Sequence, residues 1–231
     1  MTQVETLLKD NKLISDDGIY KIIRERICVG DYPPGDILSE QVLANEFKRS
    51  RTPIRKVIQR LEHEQFVTVK HGIGTIITPV NLRSIKQIYT LRMKLAEMIG
   101  ELPPVANPQQ EHIESLEQLL AQIQDLREVE DVRRLAQFNI AMHDVRQPLI
   151  GNEELRRIFD ALYYRTGRVW LQVLPDLDYL DEVNFMVDEI NQTIQALHAK
   201  DMCAVGLIRR NSISLALGRI IHYLSSAGGQ V

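Results

Sequence analysis

The run Ser50-Arg51-Thr52-Pro53-Ile54-Arg55 sets two arginines and two hydroxyls within six residues. Lys48, Arg49, Lys56 and Arg60 flank it, and no acidic residue falls between positions 48 and 60. A guanidinium donates from a fixed fork that fits guanine O6/N7 or a phosphate, and a hydroxyl serves either. If this stretch is a helix, Ile54, Val57, Ile58 and Leu61 fall at i, i+3, i+4, i+7 and form an inward stripe. Arg51, Thr52, Arg55, Lys56 and Gln59 then face outward on a rod narrow enough for a major groove about 12 Å wide. The chemistry this points to is recognition of a DNA duplex. Further along, His71-Gly72 offers a small basic tip. Arg92 lies within an apolar helical stripe, where it binds a carboxylate in a cavity or makes an interhelical ion pair. Asn139 and His143, at i and i+4, share one helix face.

Those residues need elements to hold them. Residues 1–15 read as a polar, partly mobile arm. Ile19, Ile22, Ile23 and Ile27 mark a first helix, stopped by Gly30 and the run from Asp31 to Asp36. Ser39 caps a short helix over Glu40–Phe47 with Val42, Leu43 and Phe47 inward. After the turn Lys48-Arg49, Ser50 caps the basic helix, and Pro53 sits in its first turn, where a missing N–H costs little. The period then drops to two. Phe66–Lys70 and Thr75–Thr78 read as strands joined through His71-Gly72-Ile73-Gly74. From Leu82 on only helices are expected: one from Leu82 to the break at Pro103-Pro104, then 108–128, 130–147, 151–174, 180–199 and 201–225. The fold class is therefore mainly α. Residues 1–80 form a winged helix-turn-helix and residues 81–231 an all-α antiparallel helical bundle.

Composition bounds the rest. The chain has 231 residues, 44% hydrophobic and 26% charged, as soluble globular proteins do. There is no basic-then-apolar start and no apolar run of about 18 residues, so a cytoplasmic protein without membrane contact is expected. Cys28 and Cys203 are expected as free thiols. The net charge of −3 is ill suited to DNA as an average, but it is unevenly spread. Residues 1–80 carry 12 Lys+Arg against 11 Asp+Glu, and residues 81–231 carry 16 against 20. A local basic patch suffices for phosphate contact. No nucleophile elbow, phosphate loop, HExxH or paired His/Cys spacing occurs, which argues against an enzyme. Two competing readings are a metal-dependent enzyme and a non-specific architectural winged helix.

Ile19 to Val80 resembles the DNA-binding domain of the GntR family of bacterial transcription regulators. The matching stretches are Gly30 with Pro34-Gly35, Leu38-Ser39-Glu40, Leu43-Ala44, Ser50-Arg51-Thr52-Pro53-Ile54-Arg55 and Leu61-Glu62. The resemblance implies operator contacts by Ser50, Arg51, Thr52, Arg55, His71 and Gly72. Gln41 stands where the family often has a basic residue that meets DNA, and Arg49 where it usually has a small aliphatic one. Ile88–Arg92, Asn139–His143 with Asn152 beyond, and Leu197–Asp201 are similar to segments of the FadR-type subgroup, whose helical domain is called FCD. That resemblance implies a homodimeric regulator, more often a repressor, controlled by a small anionic ligand such as an organic or sugar acid. Arg92, Asn139, His143 and Asn211 are its candidate effector contacts. Many members of the subgroup hold a divalent metal between an Asp or Asn, the His four residues later and two further histidines. Here Asn139 and His143 would supply half a site, while Ile190 and Ser212 fall at the other two positions. His198 and His222 do not match the spacing.

Overall fold

The computed structural model describes residues 14–79, 82–102 and 110–226; the first thirteen residues of the expected N-terminal arm and the Pro103-Pro104 break lie outside them. The chain divides into two compact units, Met1–Val80 and Asn81–Val231.

In the first unit, α1 spans Asp16–Cys28. Ser15 caps it by accepting from the Gly18 amide at 3.1 Å, and Asp16 and Asp17 complement the helix dipole. A two-residue strand, β1 (Ile37–Leu38), precedes α2 (Glu40–Glu46), which Ser39 caps through the Val42 amide. Lys48 then takes a left-handed φ of 51° and the Arg49 amide donates to the Ala44 carbonyl, which turns the chain into α3 (Arg51–His63). The α3 stripe is buried as expected: Ile54, Val57, Ile58 and Leu61 are all 3% exposed or less. Two local expectations are corrected. Val42 is 62% exposed, because α2 is only seven residues long and its inward side is filled by Leu43, Ala44 and Phe47. Ser50 holds the N-cap position of α3, but its side chain makes no cap bond and stays exposed.

Strands β2 (Val67–Lys70) and β3 (Gly74–Ile77) form the wing. β1 joins them, so the antiparallel sheet runs β1-β3-β2, with Ile37 opposite Ile76 and Val69 opposite Thr75.

The second unit is helical throughout its described residues: α4 (Leu82–Glu101), α5 (Gln110–Glu128), α6 (Val132–Arg146), α7 (Glu153–Val173), α8 (Tyr179–His198) and α9 (Met202–Ser226). Asp131, Asn152 and Asp178 cap α6, α7 and α8, each accepting a main-chain N–H at 2.9 Å. Pro148 and Pro175 fall in short 3₁₀ turns between helices. α9 packs on α4 and α8, α4 also on α7, and α5 on α6 and α8. The α4–α9 contact brings backbones together. A Cβ on Gly100 would lie 2.4 Å from Cys203 Cα, and one on Gly206 would lie 2.7 Å from the Ala96 carbonyl oxygen. Only glycine permits that approach.

Candidate functional site

The outward face of α3 presents Ser50, Arg51, Thr52 and Arg55, all exposed. Neither arginine dangles. Arg51 donates from Nε to Gln41 Oε1 at 2.9 Å and from Nη2 to the same oxygen. Gln41 Nε2 in turn donates to Asn45 Oδ1 at 2.8 Å, which orients the amide with its oxygen toward Arg51. Arg55 donates from Nε to Glu40 Oε2 at 2.9 Å while its side chain remains 62% exposed. A guanidinium has five donors, so Arg51 keeps Nη1 and Arg55 keeps both Nη groups for an outside partner. Glu40 and Asn45 were not singled out in the sequence. The i, i+4 spacing of Gln41 and Asn45 was visible, but the pairing of Glu40 and Gln41 across the turn to α3 depends on how the two helices pack.

The basic run is not all interface. Arg49 is tied to Asp16 at 2.7 Å and to the Ile14 carbonyl. Arg60 pairs with Asp17 at 2.9 Å and stacks over the Tyr20 ring at 3.5 Å. These two clamp α3 to α1, leaving the outward arginines as the polar face. In the wing, Gly72 and Gly74 adopt φ of 75° and 125°, and the Ile73 amide closes the tip on the Lys70 carbonyl. A Cβ on Gly72 would meet nothing within 4 Å, so the tip is open beside exposed His71. Glu62 of α3 accepts the Val69 amide at 2.7 Å and ties the wing to the recognition helix.

In the helical unit, a cavity of about 210 Å³ opens among α4, α6, α7, α8 and α9. Arg92, Asn139 and Asn211 line it, as do Tyr163 and Trp170. Arg92 is 4% exposed. Its Nη1 donates to Thr166 Oγ1, while its Nε is buried without a partner among the described residues. Burial and the charge of Arg209 push its pKa down to about 9. Arg219 clasps Glu182, which also accepts from Trp170 Nε1 at 2.8 Å, and its guanidinium lies 3.9 Å over the Phe185 ring. Glu189 accepts from Arg146 and, at 2.8 Å, from Arg209. Burial alone would raise the Glu189 carboxyl, but Arg146 and Arg209 outweigh it and hold it below its ordinary value. None of these four charged residues on α8 and α9 was picked out in the sequence. Their signal was a charge inside an apolar stripe, as at Glu189 between Val187 and Ile190.

His143 lies elsewhere. It lines a second cavity of about 20 Å³ with Arg146 and Gln147. Its ring stacks on Tyr163 with centroids 3.6 Å apart, and its Nε2 meets Asp160 Oδ1 at 2.9 Å and Gln147 Nε2 at 2.6 Å. Burial drives the imidazole down to about 3 against the pull of Asp160, so the ring is neutral. The metal implied by the resemblance does not fit these residues. Asn139 and His143 line different cavities, and His143 Nε2 is already engaged. Among the described residues no three of His, Cys, Asp and Glu stand together.

A winged helix with arginines on the outward face of its third helix, α3, followed by a helical unit with a charged internal cavity, is the build of a DNA-binding transcription regulator. Residues 16–77 match the model of bacterial regulatory proteins of the gntR family, and residues 87–208 match the FCD domain. The chain belongs to this family, in the group that carries an FCD domain. The HTH-type transcriptional regulator McbR of Escherichia coli (strain K12) is 23% identical over 195 residues, covering 78% of this chain and 80% of its own. The gluconate operon transcriptional repressor of Bacillus subtilis (strain 168) is 32% identical over 79 residues, 34% of this chain and 32% of its own. That match thus spans about a third of either protein. The solved structure of Escherichia coli McbR/YncC superposes with a TM-score of 0.76 at 18% identity, over 90% of this chain and 97% of the other. A putative GntR regulator from Rhodococcus sp. RHA1 gives 0.68 at 18% identity, over the same shares. No described helix is long and apolar enough to cross a membrane.

Proposed function

We propose that the protein is a homodimeric repressor that binds a palindromic operator and is controlled by a small organic acid held in the helical cavity. Two recognition helices would enter the major groove at half-sites about one helical turn apart. In each, Arg51 and Arg55 read base edges, Ser50 and Thr52 serve phosphates, and His71 and Gly72 approach the neighbouring groove. Gln41 holds Arg51 rather than reading a base itself. A repressor reading accords with the gluconate operon repressor among the relatives.

The observation that carries the ligand reading is Arg92: it lines the cavity, is 4% exposed, is bonded to no carboxylate among the described residues, and its Nε is buried without a partner among them. Burying a charge without a partner is costly, and an incoming carboxylate removes that cost. Ligand binding can shift operator affinity only through a difference in its own affinity for the two states. The test is a duplex selected from random sequence, titrated with wild-type protein and Arg92→Met in the presence of a panel of organic acids. An acid should release wild type from the duplex and leave the variant bound. If the variant releases equally, the reading of Arg92 is wrong.

A further inference from the structure

The charges around the cavity do not balance, and the imbalance sits at one end. Glu189 faces two arginines, Arg146 and Arg209, so that group carries one excess positive charge. Arg92 carries another, with no carboxylate bonded to it among the described residues. The Arg92 and Arg209 guanidiniums lie 5.5 Å and 5.9 Å from the centre of the same Phe159 ring, which bounds their separation, and the charge of Arg209 acts on Arg92. At the other end Arg219 and Glu182 neutralise each other, but Arg219 Nη1 is buried without a partner among the described residues. Asp188 is the remaining lining carboxylate, and it is exposed to solvent. Asp160 pairs with His143 beside the smaller cavity.

We propose that the ligand carries two negative charges on one compact head, seated between Arg92 and Arg209, and a neutral oxygen that accepts from Arg219 Nη1. This rests on the reading of the cavity as the effector site. A phosphate monoester, with a second pKa near about 6, and a pair of carboxylates on adjacent carbons share that chemistry. A single carboxylate would leave one excess cation unmatched in a setting where screening is weak. The far end suits a hydroxyl or carbonyl rather than a third charge, because Glu182 already stands there. The cavity of about 210 Å³ holds such a molecule.

Trp170 is the chain's only tryptophan and lines the cavity, so its fluorescence reports occupancy. The full chain is titrated with glycerol 3-phosphate, malate and glycerate, which differ in head charge at similar size. Either dianion should bind about tenfold or more tightly than glycerate. Arg92→Met and Arg209→Gln should each erase that preference, and Arg92→Lys should keep it at lower affinity. Melting without ligand shows that each variant is folded, and Arg92→Lys carries the comparison if Arg92→Met is not. The stronger of the two dianions names the head. If glycerate matches both dianions while all three depend on Arg92, the dianionic head is overturned and the effector reading stands. If none of the three binds, or binding ignores Arg92, both are overturned.

Discussion

Replacing Gln41 by alanine separates aiming from charge on the recognition helix. Gln41 Oε1 takes two donors from Arg51 and is itself oriented by Asn45. A hydrogen bond to a charged group is worth about 1.5–3 kcal/mol when sheltered, and a typical net bond about 0.5–1.5 kcal/mol. All three side chains are exposed, so the lower range applies. Without Gln41, Arg51 regains part of its rotamer freedom and can reach a phosphate as easily as a base. Discrimination at the base pair read by Arg51 should therefore fall by about 1 kcal/mol, or roughly fivefold. Affinity for random duplex should hold, because no charge is lost, and the salt slope should stay the same. Arg51→Ala, by contrast, should cost about 1–3 kcal/mol at the operator. The assay is competition anisotropy with operator, single-base-pair variants and random duplex at fixed salt. The double variant should be no worse than Arg51→Ala alone, since the two residues act as one unit. If the two losses add, or if Gln41→Ala weakens random and operator DNA alike, Gln41 touches DNA directly and the aiming role fails.

Three further outcomes follow from the packing. Gly100→Ala would drive a Cβ into the Cys203 backbone at 2.4 Å and 2.6 Å, so α4 and α9 must separate; a loss of about 1–3 kcal/mol or more in denaturant unfolding is expected, and a loss under about 0.5 would contradict the close contact. Glu189→Leu strands the buried Arg146 guanidinium and the partly buried one of Arg209, and should destabilise by about 3–5 kcal/mol in the same assay; a neutral result would mean Arg146 and Arg209 find other partners. His143 is held at about 3 in the fold, against about 6.5 unfolded, so the unfolded chain binds the extra proton between those values. Stability should thus fall as pH drops from about 6.5 toward 3, and His143→Gln, which keeps a donor for Asp160, should flatten that slope in thermal melts.

Local signals made the DNA-binding half readable. The α3 stripe and the Ser50–Arg55 run lie within thirteen residues, where helical period and charge speak together. Ser15 was read as part of the polar arm, yet it caps α1. β1 was missed because two residues carry no alternation. Arg49 and Arg60 looked like part of the basic patch; their partners Asp16 and Asp17 lie 33 and 43 residues away, beyond any local pattern. In the helical half, Arg92 stood out as a charge in an apolar stripe. Glu182, Glu189, Arg209 and Arg219 did not, because which helices face one another across the cavity is set by packing order and not by period. His143 shares a helix face with Asn139, as its spacing required, yet the two line different cavities.

The central claim is that α3 reads a specific sequence through Arg51 and Arg55. The direct measurement is selection from a random duplex library at about 0.15 M salt, run in parallel with wild type and the Arg51→Ala/Arg55→Ala variant. Wild type should enrich one palindrome far above the starting pool, and the variant, with unchanged melting temperature, should enrich none. Enrichment of the same palindrome by both proteins would contradict the assignment of α3 as the recognition helix.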